Sequence, residues 1–259
     1  MRIGFLGAGN MASAILRGMR DMEKGCYDIS EAAVRRAEQE LGARGFSSGE
    51  ALCAWADIVV LAVKPQVLEG AVRPLAGALA GKAVASIAAG WSLERLTALL
   101  PESRLCRVMP NTPAMVGAGM AAIAKETTFA PAEFDCIREV FSAIGRVVVV
   151  EERLFDAVTA VSGSGPAYLY MVIEAMADAG VREGLSRASA LELAAQTALG
   201  SAKMVLESGM HPAALRDMVC SPGGTTIDAV CTLEEKGLRA AVESAVRVCA
   251  EKSRAMSKQ

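Results

Sequence analysis

The chain has 259 residues, 53% of them apolar but 4% aromatic, and its 27 basic and 29 acidic side chains leave a formal charge of −2 with a single histidine. That length can bury one large core or two medium ones, and a near-neutral balance with no basic stripe carrying interleaved aromatics excludes an electrostatic footprint for nucleic acid. Charges interrupt every apolar run short of the roughly 20 residues that a membrane span needs, so neither a membrane nor a nucleic acid is an expected partner.

The start of the chain is strand-like up to Gly7, with no basic segment followed by an apolar one, and no signal peptide is expected. Cysteines at 26, 53, 106, 136, 220, 231 and 249 form no C-x-x-C pair and are odd in number. They fit reduced core residues in a cytoplasmic protein. A lone His211, followed by Pro212, argues against a multi-histidine metal centre or a Ser-His-Asp triad. No metal is expected, and His211 is read as a helix-start or surface residue.

Residues 2–6 read as a short apolar strand running into Gly7-Ala-Gly-Asn-Met-Ala12, which opens a helix with Met11, Ile15, Met19 and Met22 on one face. This is G-x-G-x-x-A: Gly7 for the tight turn, Gly9 for close approach of a pyrophosphate, Ala12 for helix–strand packing. Gly25 is expected to stop that helix, residues 26–29 to form the next strand, and Ser30 to cap a helix ending at Leu41 and Gly42. Asp28 then lies where an acid accepts hydrogen bonds from a free ribose 2′-hydroxyl and repels a 2′-phosphate. It tilts the cofactor towards NADH, with Arg35 and Arg36 close enough to soften the preference.

Residues 57–63 are a continuous, β-branched apolar run, the signature of a strand buried on both faces of a parallel sheet. Its end at Lys64-Pro65-Gln66 puts Lys64 on the ligand edge. Strands over 83–88 and 104–109, separated by a helix capped by Ser92, bring Ala89-Gly90 and Pro110-Asn111-Thr112-Pro113 to the same edge. Pro131 starts a helix with Phe134, Ile137, Val140, Phe141 and Ile144 inward, Gly145 ends it, and 146–150 is one more strand. This alternation predicts an α/β, Rossmann-like N-terminal domain with a doubly wound, mostly parallel sheet over residues 1–152.

From 153 to 259 the pattern is all-helical, and this segment is taken as a second domain. Pro166 begins a helix carrying Leu169, Val172, Ile173 and Met176 on one face, and the helix over 186–207 is apolar or small nearly all round. With Leu238, Val242, Ala245, Cys249 and Met256 forming another stripe, one copy cannot cover these faces, so a partner subunit is expected. Between them lies Val219-Cys-Ser-Pro-Gly-Gly-Thr-Thr226. Pro222 starts a turn, Gly223 and Gly224 permit positive φ and close approach, and Thr225 and Thr226 open a helix, which together form a receptor for a small carboxylate. Thr226, Ser164, Glu152, Asp217, Lys203 and Tyr168 are the candidate proton donors.

With these segments in place the chain resembles the pyrroline-5-carboxylate reductase family along essentially its full length. The likeness is carried by Phe5 to Met11, Ala62-Val-Lys-Pro65, Ser86-Ile-Ala-Ala-Gly90, Met109-Pro-Asn-Thr-Pro113, Ser162-Gly-Ser-Gly-Pro-Ala-Tyr168, Ser201-Ala-Lys-Met204 and the 219–226 loop. The resemblance implies hydride transfer from NADPH or NADH to the C=N carbon of 1-pyrroline-5-carboxylate, giving L-proline. It also implies a helical domain that interleaves with its twin into a homodimer, often assembled further into rings.

Carried over by position, Leu6, Gly7, Ala8, Gly9, Asn10, Met11, Ala62, Val63, Lys64, Pro65, Ile87, Ala88 and Ala89 would hold the cofactor, with Asp28 and Asn111 on the same edge. Val219, Gly224 and Thr225 would present backbone groups to the substrate carboxylate. The Thr226 hydroxyl, the catalytic group, would bond the ring nitrogen, with Glu152 and Ser164 near the substrate. An imine is protonated far more readily than a carbonyl, so no histidine acid is required.

Asp28 departs from the small hydroxylated residue common in the family, the 19–25 connection is short, and Gly49 and Trp91 are atypical. Two other functions fit the composition: a β-hydroxyacid dehydrogenase-like carbonyl reductase using Lys203 as acid, and a non-catalytic NAD(P)-binding regulatory or assembly protein.

Overall fold

A computed structural model describes residues 1–257 and divides the chain into two compact units, Met1–Ser164 with Cys249–Gln259, and Gly165–Val248. In the first unit eight strands form one sheet: β1 (Ile3–Leu6), β2 (Lys24–Tyr27), β3 (Arg44–Gly45), β4 (Ile58–Leu61), β5 (Ala83–Ser86), β6 (Arg104–Met109), β7 (Gly119–Ala124) and β8 (Gly145–Val150). Their spatial order is β3-β2-β1-β4-β5-β6-β7-β8. Every pairing is parallel except β6 with β7. The strand order reverses between β1 and β4, which are in register from Ile3↔Ile58 to Leu6↔Leu61. The carboxyl ends of those two strands therefore form the crevice where such sheets bind ligands.

Helices cover both faces: α1 (Asn10–Gly18), α2 (Glu31–Leu41), α3 (Gly49–Trp55), α4 (Leu68–Val72), α5 (Ala76–Leu79), α6 (Leu93–Leu99), α7 (Pro131–Ser142) and α8 (Phe155–Val158). Side-chain alternation along the central strands divides the interior in two. Ile58, Val60, Ala83, Ala85, Cys106 and Val108 face α1, α2 and α7. Val59, Leu61, Val84 and Leu105 face α3 to α6 and α8. Full burial on both faces is why these strands read as unbroken apolar runs. Cys26, Cys53 and Cys106 are buried in these cores, and burial pushes the Cys26 and Cys53 thiols up to about 11 and Cys106 to about 12. All seven cysteines are free.

Three local features differ from expectation. Helix α1 ends at Gly18 with Met19 as its cap, and Gly25 lies inside β2 instead of stopping the helix. A β-carbon on Gly25 would sit 2.7 Å from the Phe46 ring and 3.0 Å from the Trp55 ring, so Gly25 is required by close packing. Strand β7, Gly-Met-Ala-Ala-Ile-Ala, is nearly all small residues of weak strand propensity. Burial between two neighbouring strands makes it a strand, and small side chains fit that place. Strand β3 has two residues and carries no periodicity to detect.

The sheet ends at Val150, near the expected boundary, yet the compact units divide at Ser164/Gly165 and again within α13 (Leu238–Ser257), defined after the remaining helices α9 (Gly165–Arg182), α10 (Arg187–Ser208), α11 (Pro212–Val219) and α12 (Thr225–Glu235). In the second unit Ser186 caps α10 through the Ser189 amide, Gly209 at φ 67° ends it, and His211 Nδ1 accepts from Ala213 N at 3.2 Å to cap α11. Helices α9 and α10 pack through small residues, burying Ala177, Ala190 and Ala194 beside Ile173 and Val181. The large apolar side chains are left bare: Leu169, Met171, Leu191, Leu193, Leu199 and Leu206 are all at least half exposed. Among the described residues no helix is long and apolar enough to cross a membrane.

Candidate active site

The crevice at the ends of β1 and β4 is built by two glycines with different causes. Gly7 takes φ +104°, donates to Tyr27 O at 2.8 Å, and a β-carbon there would lie 2.8 Å from the carbonyl carbon and oxygen of Ala62. The protein itself demands that glycine. Gly9 is the N-cap of α1 in extended backbone, φ −72° and ψ −174°, with no side-chain cap and nothing within 4 Å of an added β-carbon. Nothing in the fold requires a glycine at this position. The open backbone before an uncapped helix start, at the sheet's reversal point, offers amide donors of the kind that bind a pyrophosphate.

Asp28 braces this loop. Its Oδ2 accepts from Ala8 N and its Oδ1 from Ser30 N, both at 2.8 Å. A carboxylate with one bond on each oxygen retains lone pairs for a ribose hydroxyl.

The neighbouring strand ends are tied together behind the loop. Ala62 N donates to Leu6 O at 2.8 Å, Ile87 N to Leu61 O at 3.2 Å, and Ala88 N to Ser86 Oγ at 3.3 Å. Lys64 follows with its ammonium exposed, ahead of the turn Pro65–Val67. Trp91, 3% exposed, donates from Nε1 to Pro65 O at 3.0 Å, and the Arg95 guanidinium stacks 3.8 Å above its ring. That gives the atypical tryptophan a role: it fastens the 87–89 turn to the Lys64-Pro65 turn. The atypical Gly49 is a packing glycine, since a β-carbon would meet Leu75 Cδ1 at 2.7 Å.

Asn111 bridges two segments, donating from Nδ2 to Ser162 O at 3.1 Å and accepting from Met120 N at 2.8 Å. Ser164 Oγ accepts from Cys249 Sγ at 3.2 Å. One oxygen of Glu152 is committed to protein groups: Oε1 accepts from Leu93 N at 2.6 Å and from Arg107 Nη1 at 3.0 Å. Arg107, 5% exposed on β6, rests against the Phe155 ring at 4.6 Å. Burial depresses its pKa, and Glu152 opposes that shift. Arg107 belongs to no motif read above, though an arginine inside the strand Arg-Leu-Cys-Arg-Val-Met109 signals a buried carboxylate partner.

In the second unit the 219–226 loop repeats the logic of the first. Gly223 takes φ +66°, and Gly224 is the N-cap of α12 with no side-chain cap. A β-carbon on Gly224 would sit 2.3 Å from Ser221 Oγ and 3.2 Å from Ser221 O, so a larger residue would require the Ser221 side chain to turn away. The Gly224 amide is used inside the turn, donating to Ser221 O at 3.0 Å. The amides of Thr225 and Thr226 remain as donors at the start of an 11-residue helix. Val219 is exposed, and the Thr226 hydroxyl, half-buried, has no hydrogen-bond partner among the described residues. Lys203, the acid of the carbonyl-reductase alternative, is an exposed side chain on α10 facing Glu207 at 3.8 Å. Asp217 pairs with Arg216 on the surface.

Two family profiles match the chain: "Pyrroline-5-carboxylate reductase dimerisation" over residues 152–256, and "NADP oxidoreductase coenzyme F420-dependent" over residues 2–90. The pyrroline-5-carboxylate reductase of Methanosarcina acetivorans is 45% identical over 266 aligned positions, covering 100% of this chain and 98% of that protein. The chain belongs to the pyrroline-5-carboxylate reductase family.

Solved structures agree. That of the Coxiella burnetii pyrroline-5-carboxylate reductase superposes with a TM-score of 0.93 at 31% identity, covering 100% of this chain and 99% of that one. The Plasmodium falciparum enzyme, solved with NADP bound, gives 0.89 at 32% identity over 99% and 98% of the two chains. Family membership explains why both glycine turns occur in one chain, and the dimerisation profile covers the helices whose apolar faces are bare. The chain is an oligomer-forming reductase of this family.

Proposed function

We propose that the protein reduces the C=N bond of 1-pyrroline-5-carboxylate to L-proline, the last step of proline biosynthesis, at the expense of a reduced nicotinamide dinucleotide. The observation that carries this is the pair of uncapped helix starts behind Gly9 and Gly224, one suited to a pyrophosphate and the other to a small carboxylate. Bound along the β1 and β4 edge, the cofactor supplies the hydride.

The chain's own residues position the reactants. The Gly7–Met11 loop, with Ala8 fastened by Asp28, receives the pyrophosphate, and the Lys64-Pro65 and Ile87–Ala89 turns flank it. The Thr225 and Thr226 amides take the substrate carboxylate, aided by the α12 dipole. The Thr226 hydroxyl accepts from the protonated ring nitrogen and fixes the ring's orientation, so that catalysis is mostly positioning. The absence of a histidine acid is consistent with imine chemistry. The test is NADH absorbance in the presence of synthetic pyrroline-5-carboxylate. The expected result is consumption with this imine and none with β-keto acids; the reverse selectivity would establish the carbonyl-reductase alternative, and binding without turnover the regulatory one.

Asp28 supports NADH as a cofactor at least as good as NADPH, because a carboxylate at that position would repel a 2′-phosphate. Steady-state constants for both cofactors check this: the expected kcat/KM for NADH equals or exceeds that for NADPH, and a tenfold NADPH advantage would refute the assignment.

The bare faces of α9 and α10 support a homodimer through the helical unit, since each leucine-sized side chain covered contributes about 1.5–3 kcal/mol. Light scattering at decreasing concentration should show no stable monomer. Free thiols throughout, together with the pathway, support a cytoplasmic location. A ring of dimers remains compatible with the same faces.

A further inference from the structure

Five residues connect the end of β5 at Ser86 to the N-cap of α6 at Ser92, and this short turn contains Ile87, Ala88 and Ala89. A backbone bond from Ile87 N to Leu61 O holds its first half to β4. Its second half hangs on two side chains. Trp91 Nε1 reaches Pro65 O at 3.0 Å, and Glu152 Oε1 takes the amide of Leu93, the first residue of α6, at 2.6 Å. Glu152 is held for this by Arg107 Nη1 at 3.0 Å, a guanidinium 5% exposed and backed by Phe155. The Glu152 backbone is fixed as well, donating to Glu126 Oε2 at 2.7 Å. The carboxylate assigned to the substrate by family resemblance is thus engaged with the far end of a cofactor turn.

We infer that Glu152, braced by Arg107, is a positioning residue for the dinucleotide: with Trp91 it sets the place of the 87–89 turn against the cofactor, and it does not bind the substrate. This rests on the proposed assignment of that turn to the cofactor. The two roles of the carboxylate separate chemically. Its hydrogen bond to Leu93 holds the turn, whereas its charge neutralises a buried guanidinium. A glutamine retains an oxygen for Leu93 and loses the charge.

Equilibrium titration of NADH without substrate, paired with KM for NADH and for the imine, tests the inference. For Glu152→Ala the NADH dissociation constant and KM should rise about tenfold with the imine KM unchanged, the scale of a site whose supporting residues are loosened. Glu152→Gln should melt at a lower temperature than the unmodified protein yet bind NADH within about twofold of it. Trp91→Phe, which keeps the ring beneath Arg95 and removes the bond to Pro65, should weaken NADH about threefold, so the inference stays testable if the alanine variant does not fold. A rise confined to the imine KM in Glu152→Ala would return Glu152 to the substrate and overturn the inference, as would native NADH binding by both Glu152→Ala and Trp91→Phe. Failure of the unmodified protein to bind NADH would instead refute the cofactor assignment itself.

Discussion

Replacing Gly9 with serine should leave the protein as stable as before, or slightly more so, while raising the dissociation constant for NADH about tenfold to a hundredfold. Serine caps a helix at least as well as glycine, by a few tenths of a kcal/mol. The backbone at Gly9 is ordinary extended chain, and an added β-carbon meets nothing within 4 Å. The same side chain stands where the pyrophosphate must approach the amides, and a loss of about 1.4–2.7 kcal/mol corresponds to that range of affinity.

Gly7→Ala should behave in the opposite manner. A left-handed φ of +104° and a contact of 2.8 Å with the Ala62 carbonyl make it a folding defect before it is a binding defect. Strain of this kind costs on the order of 1–3 kcal/mol before the clash is added. Melting temperature and NADH titration of the two variants separate the cases. A Gly9→Ser protein that binds NADH normally would mean that no ligand group occupies the cradle.

The second large effect is expected at Thr226. Thr226→Ala should reduce kcat/KM for the imine about a hundredfold, the scale of losing one well-placed hydrogen-bonding group at a reacting centre. The fold should be indifferent, because the hydroxyl has no hydrogen-bond partner among the described residues. Thr226→Ser, which restores the hydroxyl, should recover most of the rate. Lys203→Met provides the contrast: an exposed ammonium 3.8 Å from Glu207 contributes little to stability, and its loss should change kcat/KM by less than about twofold. Should Lys203→Met abolish turnover while Thr226→Ala does not, the roles proposed here are reversed and a lysine acid does the proton transfer.

Much of the architecture was visible in the chain because burial leaves a pattern. The runs at 58–61 and 83–86 are apolar throughout since both faces of β4 and β5 are covered, and the expected helix caps Ser30 and Ser92 each bond the amide three residues on. Strand β7 was not visible. Its residues are chosen for size between β6 and β8, and small size leaves no strand signature.

Both glycine turns of the candidate site could be found, and the motif itself separates the tight turn at Gly7 from the close approach at Gly9. Gly25 could not be read in this way. Its reason, two aromatic rings from Phe46 and Trp55, exists only after folding. Glu152 illustrates the same limit from the other side. Its position along the chain agrees with an acid near the substrate, and its partners, Arg107 on β6 and the amide of Leu93, come from segments 45 and 59 residues away. Long-range hydrogen bonds of this kind have no local pattern from which to read them.

The central claim is that this chain delivers a hydride from a nicotinamide to the imine carbon of a five-membered ring carrying a carboxylate. Its most direct test uses NADH deuterated at the transferring position together with pyrroline-5-carboxylate, followed by mass analysis of the product. The account predicts proline carrying one deuterium at the former imine carbon, in step with the cofactor consumed. Unlabelled product, or cofactor left intact by an otherwise folded protein that binds it, would contradict the account.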